Sequence, residues 1–89
     1  MLKITVQHLP NKHCFQLEGK LTGPWVEELH RVWQSVARDS RELEIDLREV
    51  TFADQSGREL LQQIHRQSGA IFLADSPLTQ YFADEARKF

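Results

Sequence analysis

Apolar and polar residues alternate with period two at the start of the chain, Leu2, Ile4 and Val6 against Lys3, Thr5 and Gln7. That spacing predicts a β-strand with one dry and one wet face. Pro10-Asn11-Lys12 supplies turn residues. A second strand follows, with Phe15 and Leu17 on one side and Cys14, Gln16 and Glu18 on the other, and the short connection predicts a hairpin. From Trp25 to Arg38 the period lengthens. Trp25, Val26, Leu29, Val32, Trp33, Val36 and Ala37 form a wide apolar stripe at helical spacing. Gly19 and Gly23 bracket the turn before it, and Pro24 suits a first helical position because its missing N–H would have no partner there. Glu27 and Glu28 near the positive end and Arg38 near the negative end complement the helix dipole. Both tryptophans read as core or core-edge residues.

Asp39-Ser40-Arg41 interrupts the pattern, and alternation returns with Leu43, Ile45 and Leu47 against Glu44, Asp46 and Arg48. A strand covered on both faces would be apolar throughout. Alternation in all three strands therefore predicts helices on one face of the sheet and a polar, solvated second face. A helix over roughly Gly57 to Gln67 buries Leu60, Leu61 and Ile64, and His65, Arg66 and Gly69 form its ending. Residues 70–74, Ala-Ile-Phe-Leu-Ala, read as a short buried strand. Ser76 caps a last helix with Pro77 in its first position; Leu78, Phe82 and Ala86 form its inner face, with Tyr81 beside them. The order is β-β-α-β-α-β-α, an α/β domain whose second half implies parallel crossovers.

Eighty-nine residues make one small domain, 1–89, without room for a second core. A chain of this length buries only about 60–65% of the surface its unfolded form exposes. Eleven Lys and Arg against thirteen Asp and Glu, a formal charge of −2, argue against nucleic acid as the main partner, since phosphate binding needs a clustered basic patch. Cys14 is the single cysteine, which fits a reducing compartment. No apolar signal core follows Met1, and nothing approaches the run of about 18 apolar residues that spans a bilayer. The expectation is a cytoplasmic domain without direct membrane insertion.

The chain offers little that looks like a catalytic centre. His8, His13, His30 and His65 are too scattered for a local metal motif, and no thiolate cluster accompanies them. Cys14 has no neighbour that would lower its pKa, so an inert thiol is expected. The glycines are dispersed turn residues rather than a phosphate loop. Asp46 belongs to the polar face of its strand and Asp54 to the loop beyond, so they do not form an evident carboxylate pair. No enzyme activity, cofactor or metal is expected.

The stretch that carries most functional content is Asp54-Gln55-Ser56-Gly57-Arg58, where a strand passes into a helix, the usual location of functional groups in α/β folds. Ser56 supports two readings. Ser56-Gly57-Arg58-Glu59 has the spacing of a capping box, with the serine hydroxyl accepting from the Glu59 amide, a contribution of about 1 kcal/mol. The same oxygen can also carry a phosphate of about −1.5 to −2 charges. At a helix start that charge gains roughly 0.3–1 kcal/mol from the dipole. Repulsion from one carboxylate at about 6 Å, with an effective dielectric of about 60, costs about 2 kcal/mol before screening, and Arg58 offsets part of it. The terms nearly balance, so phosphate there need not unfold the domain and would act mainly on a partner docking over the loop.

The string Glu44-Ile45-Asp46-Leu47-Arg48-Glu49-Val50-Thr51-Phe52-Ala53-Asp54-Gln55-Ser56-Gly57 resembles the central motif of STAS domains, the anti-sigma factor antagonist family. In that family an Asp-Leu strand leads to Asp-x-Ser-Gly at a helix start. The resemblance extends more weakly over Phe15 to Ala86, through Leu17-Glu18-Gly19-Lys20-Leu21 and Ser76-Pro77. It implies a small STAS-like domain with a mixed four-stranded sheet and helices mainly on one face; the chain departs from the family pattern in ending at Phe89, before the last strand and helix that many members carry. It also implies a protein-binding module that is not an enzyme. In the antagonist branch the serine matching Ser56 is phosphorylated by a kinase that is also the anti-sigma factor. Asp54 matches the acidic neighbour and Gly57 the helix-opening glycine. Gln55 stands where antagonists often carry Ser or Thr, and Thr22 where an Asp commonly follows the turn. Other branches serve transporters, including lipid-handling ABC systems; in that alternative the same surface docks on a transporter ATPase and Ser56 is only a helix cap.

Overall fold

A computed structural model describes residues 1–88. Among these residues the order is β1 (Leu2–His8), β2 (Lys12–Leu21), α1 (Pro24–Gln34), β3 (Glu42–Ala53), α2 (Gln55–Ser68), β4 (Ile71–Leu73) and α3 (Pro77–Arg87). This is the β-β-α-β-α-β-α order expected from the alternation of periods. Phe89 lies outside the described residues.

The strands form one mixed sheet in the order β1-β2-β3-β4. The β1–β2 hairpin is antiparallel, with His8 opposite His13 and Leu2 opposite Gly19. β3 lies parallel to β2, and β4 pairs with β3 in the same sense through Glu44–Ile71, Ile45–Phe72 and Asp46–Leu73. The β2–β3 register slips between Gln16 and Glu18 and again between Gly19 and Lys20. Gly19 permits this irregularity: its φ is 107°, and a Cβ there would stand 2.4 Å from the Met1 carbonyl oxygen.

The alternation sorts the side chains as expected. Phe15, Leu17, Leu43, Ile45 and Leu47 point into a single core, where Leu29 and Trp33 of α1, Leu60, Leu61 and Ile64 of α2, and Phe82 and Ala86 of α3 meet them. Trp33 is fully enclosed and its indole Nε1 donates to Ser68 Oγ at 2.9 Å, which satisfies the polar atom that burial would otherwise penalise. Trp25 packs at the core edge. Thr5, Gln7, Gln16, Glu44, Asp46 and Arg48 line a shallow depression on the opposite face. There Asp46 and Arg48 pair at 2.8 Å and Lys12 and Glu44 at 3.4 Å.

Three expectations are corrected. Helix α1 stops at Gln34 rather than Arg38, because Ser35 Oγ donates to the Val32 carbonyl at 2.6 Å and the chain continues in i→i+3 turns. The last strand covers only Ile71–Leu73 of the expected residues 70–74, and it is an edge strand rather than a buried one: Phe72 faces the core while Ile71 is exposed. On α3, Leu78 is 45% and Tyr81 53% exposed, and the inward positions are Thr79, Phe82, Ala83 and Ala86. Thr79 takes the inward place because its hydroxyl closes the capping box, accepting from the Ser76 amide at 3.1 Å while Ser76 Oγ accepts from its own amide at 3.1 Å.

Trp33→Phe removes the indole donor and leaves Ser68 Oγ without it, so stability should fall by about 1–3 kcal/mol. Urea unfolding measures this. A midpoint equal to that of the unsubstituted protein would mean that the bond contributes nothing.

Candidate functional site

Strand β3 delivers Asp54 to the end of the sheet with an extended backbone, φ −76° and ψ 179°. Its Oδ1 accepts from the Gly57 amide at 2.8 Å, in the first turn of α2, and its Oδ2 from the Gly23 amide at 3.1 Å, just before α1. Two otherwise orphaned donors of different helices thus share one carboxylate. The Gly57 amide first, and then the Gly23 amide, hold this carboxyl below the usual carboxylate range.

Asp54 is therefore the cap of α2, and the expectation that Ser56 caps it through a box with Glu59 is corrected. The helix opens at Gln55, which puts Ser56 one full residue inside it. Asp and Ser are comparable caps, but a carboxylate has two oxygens and reaches both Gly57 and Gly23. Glu59 instead receives Gln55 Nε2 at 3.4 Å. Among the described residues the Ser56 hydroxyl takes part in no side-chain hydrogen bond, and the residue is exposed.

The five residues of the motif do not form one cluster. Ser56 lines an open groove of about 580 Å³ between α1 and α2, walled by Val26, Glu27, His30, Glu59 and Arg66. Gln55 and Arg58 line a separate, smaller depression toward α3, with Gln62 and Glu85. Arg58 is held there: its Nη1 donates to the Ala53 carbonyl at 2.8 Å, and its Nε lies 3.0 Å from Glu85 Oε1. The expected compensation of a charge on Ser56 by Arg58 is thus weakened, because the guanidinium already serves α3. The spacing Ser56, Glu59, Gln63, Arg66 marks one helical face and could have announced half of the groove. The α1 half, Val26, Glu27 and His30, has no such signal in sequence.

Gly57 is required by proximity. A Cβ there would stand 2.6 Å from the Leu21 carbonyl oxygen and 2.9 Å from Leu21 Cγ, so α2 rests directly on the end of β2. Elsewhere, Asp46 and Asp54 stay apart as expected. Cys14 Sγ donates to Glu44 Oε2 at 3.4 Å; burial, then that bond and the Glu44 charge, push its thiol up. Among the described residues no three His, Cys, Asp or Glu side chains converge as a metal site, and no helix is long and apolar enough to cross a membrane.

No protein-family profile matches the chain, and no curated protein does. Solved structures do. An anti-sigma factor antagonist from Mycobacterium paratuberculosis aligns with a TM-score of 0.79 at 21% identity, over 91% of this chain and 74% of that one. The anti-sigma factor antagonist SpoIIAA in its unphosphorylated form gives 0.74 at 17% identity, over 89% and 79% of the two chains. A STAS domain from Rhodobacter sphaeroides, an antisigma-factor antagonist, gives 0.66 at 19% identity, over 96% and 94%. The fold is that of a STAS domain. Within it, the Asp54 cap joins the starts of α1 and α2, and the groove carrying Ser56 runs between those two helices.

The two capping assignments separate experimentally. Asp54→Ala should lower the unfolding midpoint and Asp54→Asn recover only part of the loss, since Asn caps through one oxygen and offers the Gly23 amide no second acceptor, while Ser56→Ala should stay within about 0.5 kcal/mol. The reverse pattern would return the cap to Ser56. Because the folded state depresses the Asp54 carboxyl, its contribution is complete above the unfolded value of about 3.9 and disappears as pH falls through the folded one. Acid titration of stability should therefore be flatter below neutral pH in Asp54→Asn. Gly57→Ala should cost about 1–3 kcal/mol through overpacking, despite alanine's better helix propensity; a stabilised variant would contradict the contact with Leu21.

Proposed function

We propose that this STAS-fold chain is a non-catalytic regulatory module of the anti-sigma factor antagonist kind, binding a serine kinase that is also an anti-sigma factor and switched by phosphorylation of Ser56. The observation that carries the reading is that Ser56 is exposed and lines the α1–α2 groove, and its hydroxyl is not needed as the helix cap, because Asp54 supplies it. A kinase can take this oxygen without dismantling the helix. Glu27 and Glu59 stand along the same groove as Arg66 and His30 and Arg58 is committed to Glu85, so a phosphate of about −1.5 to −2 charges would find neighbours of mixed charge rather than a cationic clamp. Its helix-dipole gain of about 0.3–1 kcal/mol does not exceed the repulsion of about 2 kcal/mol that one carboxylate at about 6 Å would exert before screening. Such a phosphate stays in solvent and bears on whatever docks in the groove.

The transporter-accessory alternative accounts for Ser56 as a cap. With Asp54 in that position, it leaves the exposed hydroxyl without a role.

Incubation with the partner kinase and ATP should add one phosphate per chain, located at Ser56 by mass spectrometry, and Ser56→Ala should abolish it. In binding titrations with the same partner, Ser56→Asp should weaken affinity roughly tenfold or more, about 1.4 kcal/mol, while Ser56→Ala should bind nearly as well as the unsubstituted chain. Full phosphorylation of Ser56→Ala would overturn the proposal, and so would equal binding by Ser56→Asp.

A further inference from the structure

His8 and His13 lie five residues apart but face each other directly across the antiparallel hairpin, at the end of the sheet where the chain turns. Their Nδ1 atoms are 2.6 Å apart, with the two rings nearly perpendicular at 85°. His13 is only 2% exposed, whereas His8 is open to solvent. On the far side of the His13 ring, Nε2 stands 3.1 Å from Asp39 Oδ2, off the axis of an ideal hydrogen bond but close enough for the charge to favour a proton on Nε2. Asp39 is itself gripped by Arg41 through Nη2 at 2.6 Å and through the Arg41 amide at 2.9 Å, so it stays ionised and in place.

That arrangement leaves Nδ1 of His13 as a lone pair directed at Nδ1 of His8. A carboxylate behind an imidazole whose other nitrogen is free is the orienting arrangement found behind metal-bound histidines. Two imidazole nitrogens at M–N distances of about 2.05 Å and a 90° angle would be about 2.9 Å apart. A tetrahedral ion needs about 3.3 Å between the nitrogens. The observed 2.6 Å is a hydrogen-bonding separation, so for both lone pairs to converge on one ion the His8 ring must swing its nitrogen about 2 Å off the line joining the two nitrogens. The exposed His8 can supply that displacement without disturbing the core.

We propose that His8 and His13 form a two-histidine chelate for an imidazole-preferring divalent transition ion, copper(II) foremost because nitrogen sites bind it most tightly, with Asp39 as the positioning residue that fixes the His13 tautomer. Water fills the remaining coordination positions on the exposed side. The site pins β1 to β2 at the turn and lies outside the motif that includes Ser56.

The test uses the full chain without a histidine tag, titrated near neutral pH with copper(II) alone. One equivalent should bind with two nitrogens coupled to the ion in electron paramagnetic resonance, and the thermal midpoint should rise with added ion because only the folded chain holds both ligands together. His8→Ala, at an exposed position, should lower affinity at least about tenfold, and Asp39→Asn about 10–100-fold. Since a His13 variant could unfold, His13 is read instead by paramagnetic broadening of ring signals, which should strike His8 and His13 before His30 and His65. The proposal is overturned if His8→Ala binds as tightly as the unsubstituted chain, if broadening is strongest at His30 or His65, or if no one-to-one complex forms and the pair serves only as a hydrogen bond.

Discussion

The Asp54 carboxylate accepts from the Gly57 amide at 2.8 Å and the Gly23 amide at 3.1 Å, and through those bonds the end of β3 fixes where α1 and α2 both begin. Helix starts carry unpaired N–H groups that must find acceptors, so the position of one carboxylate sets how the two helices lie beside each other. The groove between them follows from that, and so does the outward placement of the residue two positions after the cap. The Asp54 amide in turn donates to the Leu21 carbonyl at 3.2 Å, the same oxygen that leaves no room for a side chain at Gly57. The end of β2, the end of β3 and the start of α2 thus form one tightly interlocked corner.

Away from that corner, stability rests on the core face of the sheet. The ion pairs of the open face are partly or largely solvated, as with Lys12 at 30% and Glu44 at 21% exposed, and pairs of that kind contribute roughly 0–1 kcal/mol each. The enclosed side chains of Phe15, Leu17, Ile45, Leu47, Leu61 and Ile64 contribute about 1.5–3 kcal/mol apiece for the larger hydrophobes. The sheet is held by one face and leaves its other face charged and wet.

Period was the most legible feature of the sequence. The strands, the helices and their order follow from alternation, apolar runs and 3.6-residue spacing, and the core face of the first three strands follows with them. Helix ends were harder, because they depend on competition between nearby groups. Both Asp54 and Ser56 can cap a helix, and the choice is settled by the Gly23 amide, 31 residues away in sequence, which only a carboxylate can reach together with Gly57. Ser35 ends α1 by bonding to the Val32 carbonyl, and Thr79 displaces Leu78 from the inward face by bonding to the Ser76 backbone. The motif at the candidate site was legible, and its division between two depressions was not, since Val26, Glu27 and His30 come from a different helix. The four histidines looked scattered for the same reason: strand register, not sequence distance, brings His8 to His13, and a loop beyond α1 brings Asp39 behind them.

Placing the cap at Asp54 and the exposed hydroxyl at position 56 separates two properties that a serine cap would have tied together. Any residue that tolerates a helical first turn can occupy position 56 without loosening the corner at Leu21, Asp54 and Gly57. Change at position 56 is therefore decoupled from the fold, so descendants of this sequence can acquire, lose or mimic a charged group there by a single substitution, with the scaffold left intact.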